Sequence, residues 1–313
     1  MNYYPIIIPT LNRYEHLKDC IDSLARCIGA EYTPLFISLD YPPTEKYQDG
    51  YLKIKEYLPT IKGFKSVTVF EQKENLGSEK NSSFLKTYVS QYYKAYIFTE
   101  DDNIFSPNFL EYVNLGLDKF SGTPRVTSIS GYNFIELYDQ NDCEIFFRPV
   151  CSAWGVGRWF DKDKELESKM TMDYFEKVLN SWCLSWKVFT TNASDLRLLM
   201  RMVQDQVVWN DVARCIINIV EDRYELAPAI SMSKNMGHDG SGEHCGEASS
   251  DQFSNQVIDN RSTIVLGKIN SSKTLKNRVN LFFCTLSKDP IKRFLSVLMI
   301  GGWYLKYRTT HRF

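Results

Sequence analysis

The feature that most constrains the fold is residues 96–103, YIFTEDDN, where a short apolar run ends in three consecutive acids. A run rich in aromatic and β-branched residues predicts a buried strand. Ligands of open α/β sheets bind beyond the carboxyl ends of the strands, which is where Glu100, Asp101 and Asp102 fall. Adjacent carboxylates repel each other, and a hard divalent cation is one partner that would compensate them. The alternative is a solvated acidic turn, but the position after a buried strand favours a ligand site.

Strands and helices alternate along the first 125 residues. The sequence predicts further strands at residues 3–8, 34–40 and 66–70, and helices from about residues 14, 51 and 80. This alternation predicts an α/β fold with a mostly parallel sheet and right-handed crossovers. Each strand is followed by polar residues, namely Asn12 and Arg13, Asp40, Asn75 and Lys80, and the acids. Because parallel strands end at the same edge, these side chains predict one crevice with the geometry of a nucleotide pocket.

Composition and missing motifs exclude several classes of function. The net charge of -1 argues against nucleic-acid binding, which usually shows a basic excess. The eight cysteines include no C-x-x-C pair, so a structural zinc site is not expected. The sequence has neither the G-x-G-x-x-G dinucleotide fingerprint nor a P-loop. The N-terminus enters a strand almost at once, without the features of a signal peptide, so reduced thiols in the cytosol are expected.

The pattern changes after the acidic motif. Ser106 and Pro107 predict a helix N-cap and first helical position. Residues 126–131 predict a strand, residues 151–159 a Gly- and Trp-rich turn, and the following segment helices to about residue 220. We therefore expect a nucleotide-binding half, residues 1–125, and an acceptor half, residues 126–265, within one domain.

Two segments near the C-terminus have distinct compositions. Residues 235–246, NMGHDGSGEHCG, form a polar loop whose glycines would let it close over a ligand. Residues 266–313 are predicted as a helical tail, and its apolar stretch 294–305 is flanked by Lys and Arg. That stretch is shorter than the roughly 20 residues of a membrane span. It favours either a helix at a membrane interface or one packed on the protein.

Three motifs in this order resemble those of GT-A fold glycosyltransferases close to family 2. They are residues 6–13, IIIPTLNR, then Asn75-Leu76-Gly77, then residues 99–102, TEDD. The pattern is also similar to that of the N-acetylglucosaminyltransferases that initiate complex N-glycans, and the resemblance covers about the first 245 residues. It implies transfer of a sugar from a nucleoside-diphosphate donor, with UDP favoured, to a glycan or lipid-linked acceptor of the bacterial surface-polysaccharide type. The implied cofactor is Mn²⁺ or Mg²⁺.

The resemblance also implies roles for individual residues. Asp102 would ligate the metal, with His244 as a second ligand. The residues expected to bind the donor are Pro9, Thr10, Arg13, Asp40, Asn75, Gly77, Lys80, Glu100, Asp101, Trp154, Gly155, His238 and Asp239. Residues 209–212, WNDV, resemble a segment whose aspartate deprotonates the acceptor, so Asp211 is the expected general base and Asp205 the alternative.

Two other functions remain open from the sequence. A nucleotidyltransferase also uses carboxylates and a metal on an α/β sheet, but it usually carries a Gly- and Arg-rich loop where this chain has residues 9–13, PTLNR. A non-catalytic nucleotide-sugar or glycan-binding protein could keep the same fold. The expected location is cytoplasmic, with peripheral contact to the inner face of the membrane through the tail.

Overall fold

The structure is a computed structural model, which describes residues 2–134, 145–240, 254–261, 266 and 290–310. Its strands are β1 Ile6–Thr10, β2 Pro34–Leu39, β3 Ser66–Glu71, β4 Ala95–Phe98, β5 Asn103–Phe105, β6 Val126–Ser130, β7 Ile145–Arg148, β8 Val156–Trp159, β9 Tyr224–Pro228 and β10 Ser233–Asn235. In the described residues, eight of these form one sheet in the order β3-β2-β1-β4-β8-β6-β9-β7, and β5 pairs with β10.

Helices flank the sheet and continue beyond it. They are α1 Tyr14–Ala25, α2 Gln48–Tyr57, α3 Ser78–Val89, α4 Phe109–Phe120, α5 Phe160–Ser168, α6 Met172–Asn180, α7 Trp182–Thr191, α8 Ala193–Asp205, α9 Asn210–Val220 and α10 Pro290–Thr310. Short 3-10 helices lie at Ala30–Tyr32, Glu45–Tyr47 and Leu58–Thr60. Within the described residues, no helix combines the length and apolar character needed to cross a membrane.

The large sheet is mostly parallel. β1 runs parallel to β2 and β4, β2 runs parallel to β3, and β6 runs parallel to β9. β8 is antiparallel to both of its neighbours, β4 and β6, and β7 is antiparallel to β9. The predicted α/β class, with a mostly parallel central sheet, flanking helices and a C-terminal helix, is therefore confirmed.

The alternation of side chains along β1 explains why helices cover both faces of the sheet. Ile6 and Ile8 point into the larger core with Leu17 of α1, whereas Ile7 points into a second cluster with Leu85 of α3. Successive residues of a strand face opposite sides, so a continuous apolar run is the signature of a strand buried on both faces. This packing fixes the carboxyl end of β1 at the centre of one sheet edge.

The predicted turn at residues 151–159 is wrong in its second half, because Val156–Trp159 is strand β8. Gly157 lies in this strand rather than in a turn. A Cβ atom there would stand 2.6 Å from Val113 Cγ1 and 3.0 Å from Leu117 Cδ1 of α4. Glycine is thus required because the helix packs closely against the strand. A sequence pattern does not distinguish a glycine required by such packing from a glycine required by a turn.

The predicted start of α4 is also wrong. The helix begins at Phe109 with Asn108 as its N-cap residue, two positions later than expected. The Ser106 hydroxyl donates to Asn108 Oδ1 at 2.6 Å, and the Ser106 backbone N–H donates to the Met232 carbonyl at 2.9 Å. These contacts hold residue 106 on the neighbouring chain segment, outside the helix.

Helices α6 to α10 share a separate apolar cluster with part of α5. Phe175 and Leu196 are fully buried in it, and Ile300, Tyr304 and Tyr307 of α10 join them. The C-terminal helix is therefore anchored to this helical layer along one of its sides.

Asp195 in α8 is a buried carboxyl group within the helical layer, and its Oδ2 atom has no hydrogen-bond partner among the described residues. Burial raises the pKa of Asp195 to about 7. Because this pKa lies above the value of about 3.9 in an unfolded chain, the stability linked to the protonated group is complete below about pH 4 and is lost as the pH rises through 7.

We expect the neutral substitution Asp195→Asn to raise the Tm by an amount that grows from pH 5 to pH 8, reaching on the order of 5 °C. Thermal unfolding at several pH values measures this. Asp173→Asn, at an exposed position of α6, is the matched control and should show no such trend. A gain from Asp195→Asn that is equal at pH 5 and pH 8 would contradict the burial argument.

Candidate functional site

The acidic motif follows the carboxyl end of β4, next to the end of β1, and two residues from β1 and its following turn bind it. The Thr10 hydroxyl donates to Asp101 Oδ2 at 2.7 Å. The Arg13 guanidinium spans both aspartates: Nη1 donates to Asp102 Oδ2 at 2.7 Å, and Nη2 donates to Asp101 Oδ1. The Asp101 and Asp102 side chains are 5% and 7% exposed, so the charges lie mostly out of water.

The chain after β10 covers the other side of Asp102. Asn235 donates from Nδ2 to Asp102 Oδ1 at 2.7 Å, and the Met236 N–H donates to the Asp102 carbonyl at 2.8 Å. A Cβ atom on Gly237 would stand 2.2 Å from Asp102 Oδ2, so a glycine is needed where this loop crosses the carboxylate. The start of the predicted Gly-rich loop therefore lies directly against the acidic motif.

The charges of this cluster are partly balanced within the protein. Burial acts to lower the pKa of Arg13, but the negative charges of Asp101 and Asp102 have a larger, opposite effect. The pKa of Arg13 is therefore raised above its usual value. Burial raises the pKa of Asp102, although Arg13 opposes this. Burial, with the charges of Asp102 and Asp211, raises the pKa of Glu100 to about 8. Glu100 is therefore mostly protonated at neutral pH, which reduces repulsion among the three acids.

The two candidate bases lie in different surroundings. Asp211 is exposed in the first turn of α9, and its charge acts on both Glu100 and the buried Arg158. Asp205, the last residue of α8, faces Arg201 with 3.6 Å between Oδ2 and Nε, and its side chain is 50% exposed. Of the two, Asp211 is the one whose charge acts on the acidic motif.

Asp40, at the end of β2, organises the turn that contains Asn75 and Gly77. Its carboxylate accepts from the N–H groups of Leu76 and Gly77 at 2.8 and 2.9 Å. The Asn75 amide donates to the Tyr41 carbonyl at 2.7 Å. The side chain of Asp40 is thus engaged in shaping the loop, and its contact with a nucleotide stays a prediction.

Two donor-binding candidates lie farther from the acids. Lys80 is exposed in the first turn of α3. Pro9 lies within β1 and pairs with Ser38 of β2, so this strand continues beyond its predicted end at residue 8. Neither residue contacts the acidic motif in the hydrogen bonds and ion pairs of the described chain.

Trp154, Gly155 and His238 form an aromatic wall next to the loop. The Trp154 and His238 rings lie 5.9 Å apart in an edge-to-face arrangement. Gly155 has a φ of +83°, and a Cβ atom there would stand 2.6 Å from Phe105 Cε1, so the position requires glycine. The structure thus brings two predicted regions, near residues 154 and 238, to one place.

Asp239 and the N-terminal half meet through a hydrogen-bond contact. Its Oδ2 lies 2.9 Å from His16 Nε2 of α1. His244 and the rest of the Gly-rich loop, residues 241–246, lie outside the described residues. The predicted metal-binding role of His244 therefore stays a prediction.

The donor set of the acidic motif suits a hard divalent cation in its chemistry, because it consists of carboxylate and amide oxygens. In the part of the chain that the structure describes, however, no three His, Cys, Asp or Glu side chains are grouped to hold a metal. All four carboxylate oxygens of Asp101 and Asp102 accept hydrogen bonds from protein donors. Arg13 donates to one oxygen of each aspartate. A cation at these oxygens would have to displace the Arg13 guanidinium.

Sequence analysis missed several residues of this site. The sequence pattern predicts Asn235 only as the start of a loop and Gly237 only as a flexible position. His16 and Arg158 lie in ordinary helix and strand patterns, so the sequence does not indicate that either one is near the acidic motif. The spacing Asn-Met-Gly directly after a short extended segment could have indicated Asn235.

No protein-family model matches the sequence, and a comparison with curated proteins found no match. Solved structures are similar over part of the chain. The mannosyltransferase PcManGT from Pyrobaculum calidifontis, in complex with GDP-Man and Mn²⁺, is 14% identical, with coverage of 52% of this chain and 46% of that one and a TM-score of 0.38. This chain therefore spans less than half the length of that enzyme.

Two further structures are similar over more of the chain. Residues 1–349 of TarS from S. aureus, in complex with UDP, are 12% identical, with coverage of 71% of this chain and 70% of that one and a TM-score of 0.40. Mouse xyloside xylosyltransferase 1 is 10% identical, with coverage of 71% and 83% and a TM-score of 0.41. Two of these three structures are named as glycosyltransferases, a mannosyltransferase and a xylosyltransferase, and all three are similar to this chain at low identity.

Proposed function

We propose that this chain is a metal-dependent, inverting glycosyltransferase of the GT-A fold. It would transfer a sugar from a nucleoside-diphosphate donor, with UDP favoured, to a hydroxyl of a glycan or lipid-linked acceptor. The observation that carries the proposal is the buried Asp101–Asp102 pair at the carboxyl end of β4, bound by Thr10 and Arg13 and covered by the end of β10 and the loop after it. In an α/β sheet this edge is the expected place for a nucleotide.

The donor would lie along this edge. Thr10, Arg13 and the turn held by Asp40 would line the nucleoside, and Asp102, with His244, would hold a Mn²⁺ or Mg²⁺ ion. Such an ion neutralises negative charge on a departing nucleoside diphosphate. Trp154 and His238 would border the sugar, and closure of the glycine-rich loop would exclude water, which would otherwise hydrolyse the donor.

Asp211 would act as the general base. Its carboxylate would accept the proton of the acceptor hydroxyl, whose oxygen forms a bond to the anomeric carbon while the bond from that carbon to the diphosphate oxygen breaks. The nucleoside diphosphate leaves with the electron pair of that bond. Asp211 supports this role because it is exposed and lies within electrostatic reach of Glu100.

The acceptor and the location are part of the same proposal. A lipid-linked acceptor, as in bacterial surface-polysaccharide assembly, would require the enzyme to work at the cytoplasmic face of a membrane.

The donor pocket is tested by thermal unfolding with a panel of nucleoside diphosphates, with and without Mn²⁺. We expect one nucleotide to raise the Tm in a Mn²⁺-dependent manner, since a ligand of the folded state stabilises it. Asp102→Asn should abolish this shift, while Asp173→Asn should keep it. Absence of a shift with every nucleotide in the presence of Mn²⁺ would overturn the proposed donor site.

The base is tested by Asp211→Asn. We expect donor binding to persist and release of the nucleoside diphosphate from a sugar-nucleotide panel to fall by about 100-fold or more, because a general base contributes on the order of 10²–10⁴. Asp205→Asn is the matched control and should keep its activity. Near-normal turnover by Asp211→Asn would refute the assignment. Mn²⁺-dependent binding without turnover by the unaltered protein would instead identify a non-catalytic binding protein.

Arg13 provides a test of how a cation reaches the carboxylates. Because its guanidinium binds both aspartates, a metal ion must displace it. We expect Arg13→Gln to bind Mn²⁺ about tenfold more tightly without nucleotide, equal to about 1.4 kcal/mol, measured from the electron paramagnetic resonance signal of free Mn²⁺. Lys80→Gln removes a nearby charge that does not contact the aspartates, and should change the affinity little. Equal affinities for Arg13→Gln and the unaltered protein would rule out this competition.

A further inference from the structure

α10 is anchored to the helical layer through one side. Ile300, Tyr304 and Tyr307 are buried against it. The Tyr304 hydroxyl donates to the Leu179 carbonyl at 3.0 Å, and Arg308 Nη1 donates to the same carbonyl at 3.1 Å. Arg308 Nη1 also donates to the Asn180 carbonyl at 2.5 Å. These bonds satisfy two carbonyl groups at the end of α6, so the position of α10 on the protein is specified by polar contacts as well as by packing.

Another part of the α10 surface is apolar and exposed. The side chains that share this property, with exposures of 43–63%, are Phe294, Leu295, Leu298, Met299, Trp303 and Leu305. The neighbouring α7 adds Trp182, which is 55% exposed and lies edge to face with Tyr304 at 5.6 Å. Single exposed apolar residues are ordinary, but a set of this size on one helix marks an interaction surface.

A cationic groove borders this apolar surface. It is a cavity of about 450 Å³ between α8 and α10, and its lining includes Arg197, Arg201 and Lys306. Among the described residues, neither Arg197 nor Lys306 takes part in an ion pair, and Arg201 faces Asp205 at 3.6 Å. Trp303 lines the groove and also belongs to the apolar surface. Positive charge and apolar surface are therefore continuous.

The sequence also places positive charge on the same helix. α10, Pro290–Thr310, contains four Lys and Arg residues and no Asp or Glu, although the whole chain has a net charge of -1. The remainder of the chain is thus acidic. A surface that is both apolar and locally basic, on a protein that is otherwise acidic, complements an anionic lipid surface.

We propose that the helical layer docks on an anionic membrane surface through α10, with the phosphate of a lipid headgroup in the groove of Arg197, Arg201 and Lys306. The apolar side chains of α10 insert at the level of the headgroups and the upper acyl chains, and Trp303 lies at the boundary. Arginine suits this groove because its planar guanidinium forms paired hydrogen bonds with phosphate. A second copy of the chain fits less well, since a symmetric contact would bring two basic grooves together.

The proposal is tested by sedimentation of the full-length protein with vesicles of phosphatidylcholine, with or without phosphatidylglycerol. We expect binding that requires phosphatidylglycerol and weakens with added salt, because headgroup attraction is screened. The double substitution Arg197→Gln/Lys306→Gln should weaken binding by about tenfold or more, since each basic residue near the surface adds to the attraction for anionic lipid. Lys62→Gln/Lys65→Gln removes two exposed charges next to β3 and should leave binding unchanged.

The apolar part of the surface is tested by Phe294→Ser/Leu298→Ser. Both side chains are more than half exposed, so we expect an unchanged Tm and weaker binding to anionic vesicles. Equal binding to neutral and anionic vesicles, or an unaffected Arg197→Gln/Lys306→Gln variant, would overturn the proposal. A different outcome would be no vesicle binding together with a dimer, measured by light scattering, that dissociates in Phe294→Ser/Leu298→Ser. That result would show that a second copy of the chain covers the apolar surface instead of a membrane. Because these measurements use no nucleotide, their outcome is independent of the proposed enzymatic function.

Discussion

The double contact of Arg13 with Asp101 and Asp102 is the interaction on which the candidate site depends. Two adjacent carboxylates that are almost buried would repel each other and lose their hydration, which is unfavourable unless a charged partner replaces the water. Arg13 supplies that partner from the turn after β1. Thr10 and Asn235 donate hydrogen bonds to the two carboxylate oxygens that Arg13 does not contact. The ends of β1 and β4 and the loop after β10 are therefore held together by one set of charge-assisted bonds.

A second polar network connects the sheet to the helical layer. Asp163 of α5 accepts from the Tyr96 hydroxyl of β4, and its other oxygen accepts from Arg214 Nη1 of α9 at 2.6 Å. Arg214 Nε also donates to Asn210 Oδ1 at 2.8 Å, which fixes the first turn of α9. Asp211 lies in that turn. A network of three buried polar side chains thus determines where a solvent-exposed carboxylate stands relative to the acidic motif.

Sequence patterns predicted the parts of this architecture that depend on local periodicity. β1, β2, β3 and β4 and the helices between them follow from apolar runs and helical spacing, and the common edge of their polar ends follows from parallel pairing. β8 was missed because its single glycine, Gly157, is set by the distance to α4, a tertiary contact that leaves no local pattern. The same limit applies at the site. Thr10, Arg13 and Asp101 could be grouped from the sequence, but the bonds of Asn235 and His16 span more than 130 residues and depend on the folded loop.

The antiparallel insertion of β8 has a consequence for the order in which the sheet can form. β4 pairs with β1 on one side and with β8 on the other, and β8 is also the link to β6. During synthesis, residues 6–98 supply the four parallel strands, yet β4 remains an open edge until residues 156–159 have left the ribosome. An unpaired edge strand is a template for association with other chains. The acidic tip of β4 would give this temporary edge a charged end during that interval, so the residues proposed to bind the donor would also limit its pairing with other nascent chains.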